Sequence, residues 1–158
     1  MFRELTRIKN KLSDEACIRI LTTEKRGVLS VNGDGGYPYA MPMNHYYNPD
    51  DGAIYFHCGK TGHRLDSLKK DGRASFCVYD GGFRKDGEWA LNIGSVIVFG
   101  KIEIIDEPSV TADISEKLSL KFTDDAEYIR NEIKNFAANT LILKLKPENI
   151  CGKLVNES

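Results

Sequence analysis

Apolar and polar residues alternate along most of the chain, and this period of two predicts β-strands rather than helices. The alternating stretches are residues 27–31, 37–47, 53–58, 73–79, 95–105 and 141–145, with a short addition at 150–155. In the third stretch, Ile54, Phe56 and Cys58 share one face, whereas Tyr55 and His57 share the other. We therefore expect a mainly β protein in which each strand turns one face to a common core.

Glycine and proline residues mark where the predicted strands end or bend. Asn32–Gly36 holds three glycines and fits a hairpin turn. Pro38 and Pro42 lie inside the second strand, which must therefore be at an edge, bulged or bent, because proline donates nothing to a ladder. Pro147 is predicted to close the last long strand. Six strands joined by consecutive hairpins favour an antiparallel barrel that is closed or nearly closed.

Helical spacing appears in four places. Ser13 stands before two acidic residues, a pattern that predicts an N-cap and a helix running to Thr23. A short helix is predicted from about Thr61, and two longer helices begin near Pro108 and Ala126. The apolar positions that we expect on the buried sides of the last two helices are Val110, Ile114, Leu118, Phe122, Ile129, Ile133 and Phe136.

Composition narrows the class of protein. The 158 residues carry 22 Lys and Arg against 23 Asp and Glu, so the net charge is −1. A protein with so little net charge has no overall electrostatic attraction to nucleic acid or to an anionic membrane, so neither is expected as a partner. No apolar run reaches the ~20 residues of a membrane span, and the charged N-terminus is unlike a signal peptide. We expect one cytoplasmic domain, residues 1–158, with an N-terminal arm at 1–12 and free thiols.

The turn Gly59-Lys60-Thr61-Gly62 predicts an anion site. A nucleotide P-loop is excluded, because the glycine that it needs five positions earlier is Ile54. A strand that ends in a glycine-flanked turn before a helix still directs free N–H groups and the helix dipole to one point. Lys60, His63 and Arg64 lie at this turn and could hold a phosphate. The alternative is that they are solvated surface residues.

Two further segments carry candidate chemistry. His57 and Cys58 point to opposite faces of their strand, which argues against a shared metal ion and against a Cys–His nucleophile pair. In the second strand, Pro42 leaves neighbouring backbone groups unpaired and free for a ligand, with Met43 and Asn44 beside it. The alternative there is a bulged edge strand with core methionines.

These segments together resemble a known family. The runs that carry the resemblance are residues 35–43, 54–66, 73–76 and 95–101. They are similar to the pyridoxamine 5'-phosphate oxidase-related flavin-binding proteins, and most of all to the branch named for 5-nitroimidazole resistance. The resemblance extends over residues 13–105 by sequence and over the rest by element order. It implies a six-stranded antiparallel split β-barrel with flanking helices, which forms a homodimer with FMN at the subunit interface.

The resemblance also implies which residues contact the flavin. The strand that matches Met41–Asn44 runs along the flavin ring, and the turn that matches His57–Arg64 holds the phosphate. Ser95 and Val96 match a segment that approaches from the partner subunit, and Trp89 in the preceding loop could cover the ring. The cofactor-binding residues carried over are Met43, Asn44, His57, Cys58, Lys60, His63, Arg64, Trp89, Ser95 and Val96.

The implied activity is an FMN-dependent oxidoreductase that reduces a small oxidised substrate such as a nitroaromatic. His45, Tyr47 and His57 are the candidate proton donors. The chain lacks the arginine-rich phosphate motif and the C-terminal substrate segment of the true vitamin B6 oxidases, so oxidation of pyridoxamine phosphate is not expected. A flavin-binding carrier or sensor without catalysis is the alternative, followed by a relative that binds haem or the deazaflavin F420.

Overall fold

Seven antiparallel strands form one sheet in the computed structural model, which describes all 158 residues. They are β1 (Arg26–Asn32), β2 (Pro38–Asn44), β3 (Tyr46–Tyr47), β4 (Ile54–Gly59), β5 (Arg73–Tyr79), β6 (Asn92–Ile105) and β7 (Thr140–Asn156). Their order in the sheet is β2-β1-β5-β6-β7-β4-β3. The sheet curls around its core but does not close by pairing of its two edges, which makes it a split barrel. Six strands were expected, and the additional one is the two-residue β3.

Four helices flank the sheet: α1 (Asp14–Thr23), α2 (His63–Lys70), α3 (Pro108–Ser119) and α4 (Ala126–Phe136). The predicted start of α1 is confirmed, because the Ser13 hydroxyl accepts a hydrogen bond from the Ala16 N–H at 3.2 Å. Its buried side is Cys17, Ile20 and Leu21. None of the helices is both long enough and apolar enough to cross a membrane.

The core follows the alternation that the sequence predicts. On β4, Ile54, Phe56 and Cys58 turn inward, and Phe56 meets Phe76 of β5 edge to face with 4.9 Å between ring centroids. Aromatic pairs of this geometry stabilise a core beyond the area that they bury. The opposite face of β4 belongs to a second, smaller cluster, in which Tyr55 packs near Ile114 of α3. Both faces of β4 are therefore occupied, one by the barrel core and one by helices.

The second predicted strand is broken in two. Residues 37–47 were expected to form a single strand, but the chain turns at His45, which separates β2 from β3. The His45 ring is fully buried, and its Nε2 donates a hydrogen bond to the Leu21 carbonyl at 2.8 Å. The edge position predicted from Pro38 and Pro42 is confirmed, because β2 is the terminal strand and pairs only with β1.

The prediction that Pro147 ends the last strand is wrong, since β7 continues through it to Asn156. Pro147 lies opposite Gly100 of β6, where the pairing register shifts between Phe99 and Gly100. A Cβ on Gly100 would collide with the backbone of Lys146. The bulge and the missing side chain together let the ladder accommodate a residue without an N–H group.

The prediction for the buried side of α4 is correct only in part. Ile129 is buried, but the Phe136 ring is 57% exposed. The physical reason is that α4 packs mainly against α3 and makes little contact with the sheet. Phe122, beyond the end of α3, is also exposed, and the Lys25 and Arg26 side chains lie 5.4 and 5.3 Å from its ring centroid.

The N-terminal arm lies across the outer face of the sheet. The Leu12 N–H donates to the Gly152 carbonyl at 3.0 Å, and the Phe2 ring stacks on Phe99 with 5.5 Å between centroids. All four cysteines are free thiols, as expected. Cys17 and Cys58 are buried, and Cys77 and Cys151 are half-buried.

Candidate functional site

The split of the barrel holds a small open cavity. It lies between β2, at one edge of the sheet, and the turn that joins β4 to α2, and it has a volume of about 200 Å³. We call it the edge cleft. Its lining residues are Tyr39, Met41, Gly59, Thr61, Gly62, His63, Arg64 and Leu65. The two segments that the sequence singled out as candidate ligand sites therefore face each other.

The turn at the floor of the edge cleft exposes backbone donors. Gly62 has φ +121° and ψ 167°, a conformation that residues with a side chain rarely adopt. No side chain caps α2, which begins at His63, so its first N–H groups have no partner from a cap. A Cβ built on Gly59 or Gly62 would meet nothing within 4 Å. Open space therefore lies directly above unpaired N–H groups and the positive end of a helix dipole.

The three predicted cations do not converge on this point, because two of them have other partners. The Lys60 ammonium pairs with Asp106 at 2.9 Å. The His63 ring stacks on Tyr39 at 4.2 Å between centroids and lies 3.4 Å from an Asp34 carboxylate oxygen. Both pairs are exposed, and exposed pairs are weak enough to rearrange.

Arg64 is the exception, because no carboxylate neutralises it. It takes part in none of the ion pairs of the chain. One of its terminal nitrogens donates to the Met43 sulfur at 2.8 Å, and a second contact reaches the Cys58 thiol. Its Nε is buried and has no hydrogen-bond partner. Sulfur is a weak acceptor, so this guanidinium lies beside the edge cleft with most of its bonding capacity unused.

The pKa values of Cys58 and His57, two groups near Arg64, are shifted mainly by desolvation and less by the Arg64 charge. Burial raises the pKa of the Cys58 thiol, and the Arg64 charge and hydrogen bond oppose that rise without reversing it. The protein around the His57 ring desolvates it in part and lowers its pKa, although the residue keeps exposed surface, and the Arg64 charge lowers this pKa further. At neutral pH we therefore expect a protonated thiol on the core side of β4 and a neutral imidazole on its outer side.

The remaining predicted cofactor residues lie in different surroundings. Met43 is a core residue whose sulfur faces Arg64, and Asn44 is half-buried at the end of β2. On β6, the Val96 side chain is fully buried, so only its backbone could reach a ligand. Ser95 is on the outer face, where its hydroxyl donates to the Lys153 carbonyl at 3.3 Å. Trp89 is 76% exposed in the loop between β5 and β6.

Two of the three candidate proton donors are enclosed by the core. His45 has no exposed surface, and Tyr47 is only 7% exposed. Burial and the nearby Lys121 ammonium lower the pKa of His45 to about 4, so the ring is neutral at physiological pH. The structure thus leaves His57 as the candidate whose ring reaches a cavity and solvent.

The sequence did not single out Tyr39 or the helix residues near His57. Tyr39 lies on β2 and stacks on His63, and an aromatic residue in a strand gives no signal that separates this role from core packing. Beyond His57, α3 and α4 border a second cavity that Glu132 and Phe136 help to line. The helical spacing of the apolar residues predicted that Phe136 would be buried, so nothing in the sequence indicated a cavity at this position.

Comparison with known proteins finds one family whose model matches most of this chain. The profile of the family described as pyridoxamine 5'-phosphate oxidase matches residues 13–154. The comparison with curated proteins finds no significant match.

Several solved structures share the fold at low sequence identity. A protein from Bacteroides thetaiotaomicron, described as a candidate 5-nitroimidazole antibiotic resistance protein, is 18% identical with a TM-score of 0.76, over 92% of this chain and 87% of that one. An FAD-binding protein from Mesorhizobium loti is 20% identical with a TM-score of 0.68, over 92% and 96% of the two chains. A protein from Mycobacterium smegmatis that binds FAD and heme is 22% identical with a TM-score of 0.69, over 90% and 71%.

Proposed function

The chain belongs to the pyridoxamine 5'-phosphate oxidase family, and from that premise we propose that it binds FMN in the edge cleft and acts as an oxidoreductase. The observation that carries the proposal is Arg64, a guanidinium without a carboxylate partner whose buried Nε has no acceptor. A phosphate is the ligand that such a group fits best, because it offers a charged acceptor to several N–H donors at once.

The residues of the edge cleft fit the phosphate end of a flavin nucleotide. The N–H groups at the start of α2 and the Arg64 guanidinium would hold the phosphate, and the open space over Gly59 and Gly62 gives it room. Lys60 and His63 would add charge after leaving their exposed partners. The unpaired edge of β2 would run beside the ring and hydrogen-bond its polar atoms.

A bound flavin would supply the electron transfer that no side chain of this chain can perform. The role left to the protein is to orient the ring, exclude water and provide protons. His57 is the candidate for the last role because its ring reaches the cavity beyond β4, but its neutral imidazole would first have to take up a proton before donating one. We propose a nitroaromatic as the substrate class, because the sequence resembles the 5-nitroimidazole resistance branch. The four free thiols fit action in the reducing cytoplasm.

We further propose that two copies of the chain pair through the outer face of β1, β5, β6 and β7. The register aligns Val28, Cys77, Ile97 and Cys151 in one row across this face. None of these four side chains carries a charge, and the chain as a whole is nearly neutral, so two copies do not repel each other. A self-complementary apolar patch is what a two-fold interface requires. Such pairing would bring Ser95 and Trp89 of one subunit toward its partner.

The dimer predicts a specific response to a charge at its centre. Ile97→Glu should give a monomer, because a two-fold axis near this row brings the two carboxylates together in an apolar interface. Ile18→Glu is the matched control, since both isoleucines are 40% exposed but Ile18 lies on α1. Light scattering after gel filtration measures the mass. A monomeric wild-type protein, or a dimeric Ile97→Glu variant, would contradict the proposed interface.

The cofactor is tested by the visible spectrum of the purified protein and by mass spectrometry of whatever heat releases from it. We expect FMN in nearly stoichiometric amount. Release of FAD would keep the flavin and correct its identity, a Soret band would indicate haem, and blue F420 fluorescence would indicate the deazaflavin. A colourless protein that also fails to take up added FMN contradicts the proposal. Turnover of a nitroaromatic with NADH or NADPH then separates an enzyme from a flavin carrier.

A further inference from the structure

A second cavity lies on the opposite side of β4 from Cys58. It is an open cavity bordered by β4, α3 and α4, with a volume of about 220 Å³. We call it the helix-pair cavity. The side chains that decide its chemistry are His57 from β4, Ser115 and Ser119 from α3, and Glu132 and Phe136 from α4.

The helix-pair cavity has a negative charge that nothing in the chain neutralises. Glu132 is its one carboxylate, is half-buried, and takes part in no ion pair. The other titratable group in the wall is His57, whose pKa is lowered by burial and by Arg64, so it adds no positive charge at neutral pH. A carboxylate without a protein counter-ion is free to pair with a cationic ligand in the cavity.

The rest of the wall suits a flat organic cation better than a metal ion. The Phe136 ring lines the cavity and remains 57% exposed, although an aromatic ring on a helix usually packs inward. The negative face of an aromatic ring attracts an organic cation. The hydroxyls of Ser115 and Ser119 and the neutral imidazole of His57 can accept hydrogen bonds from N–H groups. One carboxylate with two hydroxyls is, by contrast, a poor set of metal ligands.

We propose that the helix-pair cavity binds a small aromatic or aliphatic organic cation, such as a protonated amine, amidine or imidazolium. Glu132 is the counter-ion, Phe136 packs on the ligand, and His57 and the two serines accept its N–H groups. Binding itself is independent of flavin.

The test uses benzylammonium as the probe and benzyl alcohol as its neutral counterpart, titrated calorimetrically into the purified protein. We expect the wild-type protein to prefer benzylammonium by about tenfold or more, as a charge-assisted hydrogen bond does. Glu132→Gln should abolish that preference and keep the helix signal in circular dichroism. Glu127→Gln, an exposed carboxylate on the same helix, is the control and should keep it.

The outcomes separate this inference from the proposed function. Cation preference that depends on Glu132, in a protein that neither contains flavin nor takes up added FMN, supports the cavity and contradicts the flavin assignment. Stoichiometric FMN together with equal binding of the two probes, or with no binding of either, overturns the cavity and leaves the flavin assignment standing. An unchanged preference in Glu132→Gln overturns the role of Glu132 and with it the inference.

Discussion

Arg64→Ala is expected to weaken FMN binding by about 10- to 100-fold, the loss that follows when a charged group that donates to phosphate is removed. The side chain has no carboxylate to release on binding, and only its sulfur contacts oppose its movement toward the ligand. The side chain is half-buried and its buried Nε has no acceptor, so removing it should not destabilise the fold. Quenching of flavin fluorescence on titration with the flavin-free protein gives the affinity.

Three further variants test whether the effect is specific to the phosphate site. Lys69→Ala, at the opposite end of α2, changes the charge of the same helix and should leave affinity nearly unchanged. Lys60→Ala should have a smaller effect than Arg64→Ala, since Lys60 must first leave Asp106. The double variant of Lys60 and Arg64 should lose most of the affinity. If it binds FMN as tightly as the wild-type protein, the phosphate is held elsewhere.

Acidification is expected to destabilise the protein through His45. Burial, with a contribution from the Lys121 charge, lowers the pKa of this ring from 6.5 to about 4 in the folded state. The unfolded chain therefore binds more protons between these two values, and the free energy of unfolding falls as pH drops from 6.5 to 4. The loss from this one group is about 3 kcal/mol, as the linkage relation gives for a shift of this size.

Urea denaturation at a series of pH values measures this effect. His45→Gln should flatten the dependence over this range, because glutamine can still donate to the Leu21 carbonyl but does not titrate. His63→Gln, which changes an exposed ring, should keep the wild-type slope. The comparison uses slopes, so a uniform loss of stability in the His45 variant does not obscure it. Equal slopes in all three proteins would show that His45 is not the group responsible.

Local patterns were sufficient for the parts of the fold that depend on neighbours in sequence. Ser13 marked the start of α1, the alternation of Ile54 to Cys58 gave the two faces of β4, and Pro42 placed β2 at an edge. The turn at 59–62 was also recognisable from its glycines. Each of these features is set by backbone conformation or by side-chain periodicity within a few residues.

Features that depend on distant partners could not be predicted in this way. Pro147 does not end β7 because the opposite strand bulges at Phe99 and Gly100, and because Gly100 has no Cβ. Lys60 was expected at the anion site, but its partner Asp106 lies 46 residues away. The contact of Arg64 with Met43 likewise depends on how the two sheet edges meet. The exposure of Phe136 depends on α4 resting on α3, which periodicity alone cannot show.

The position of β7 in the sheet determines the order in which the strands can assemble. This C-terminal strand lies between β6 and β4, so it is the ladder that joins the pair β3–β4 to the other strands. Without residues 140–156, β3 and β4 have no strand pairing with the rest of the sheet. The turn after β4 and strand β2, which form the two walls of the edge cleft, are then not held together. Strand pairings between residues so far apart in sequence also form slowly. Any ligand that needs both walls of the cleft is therefore bound only after β7 has docked.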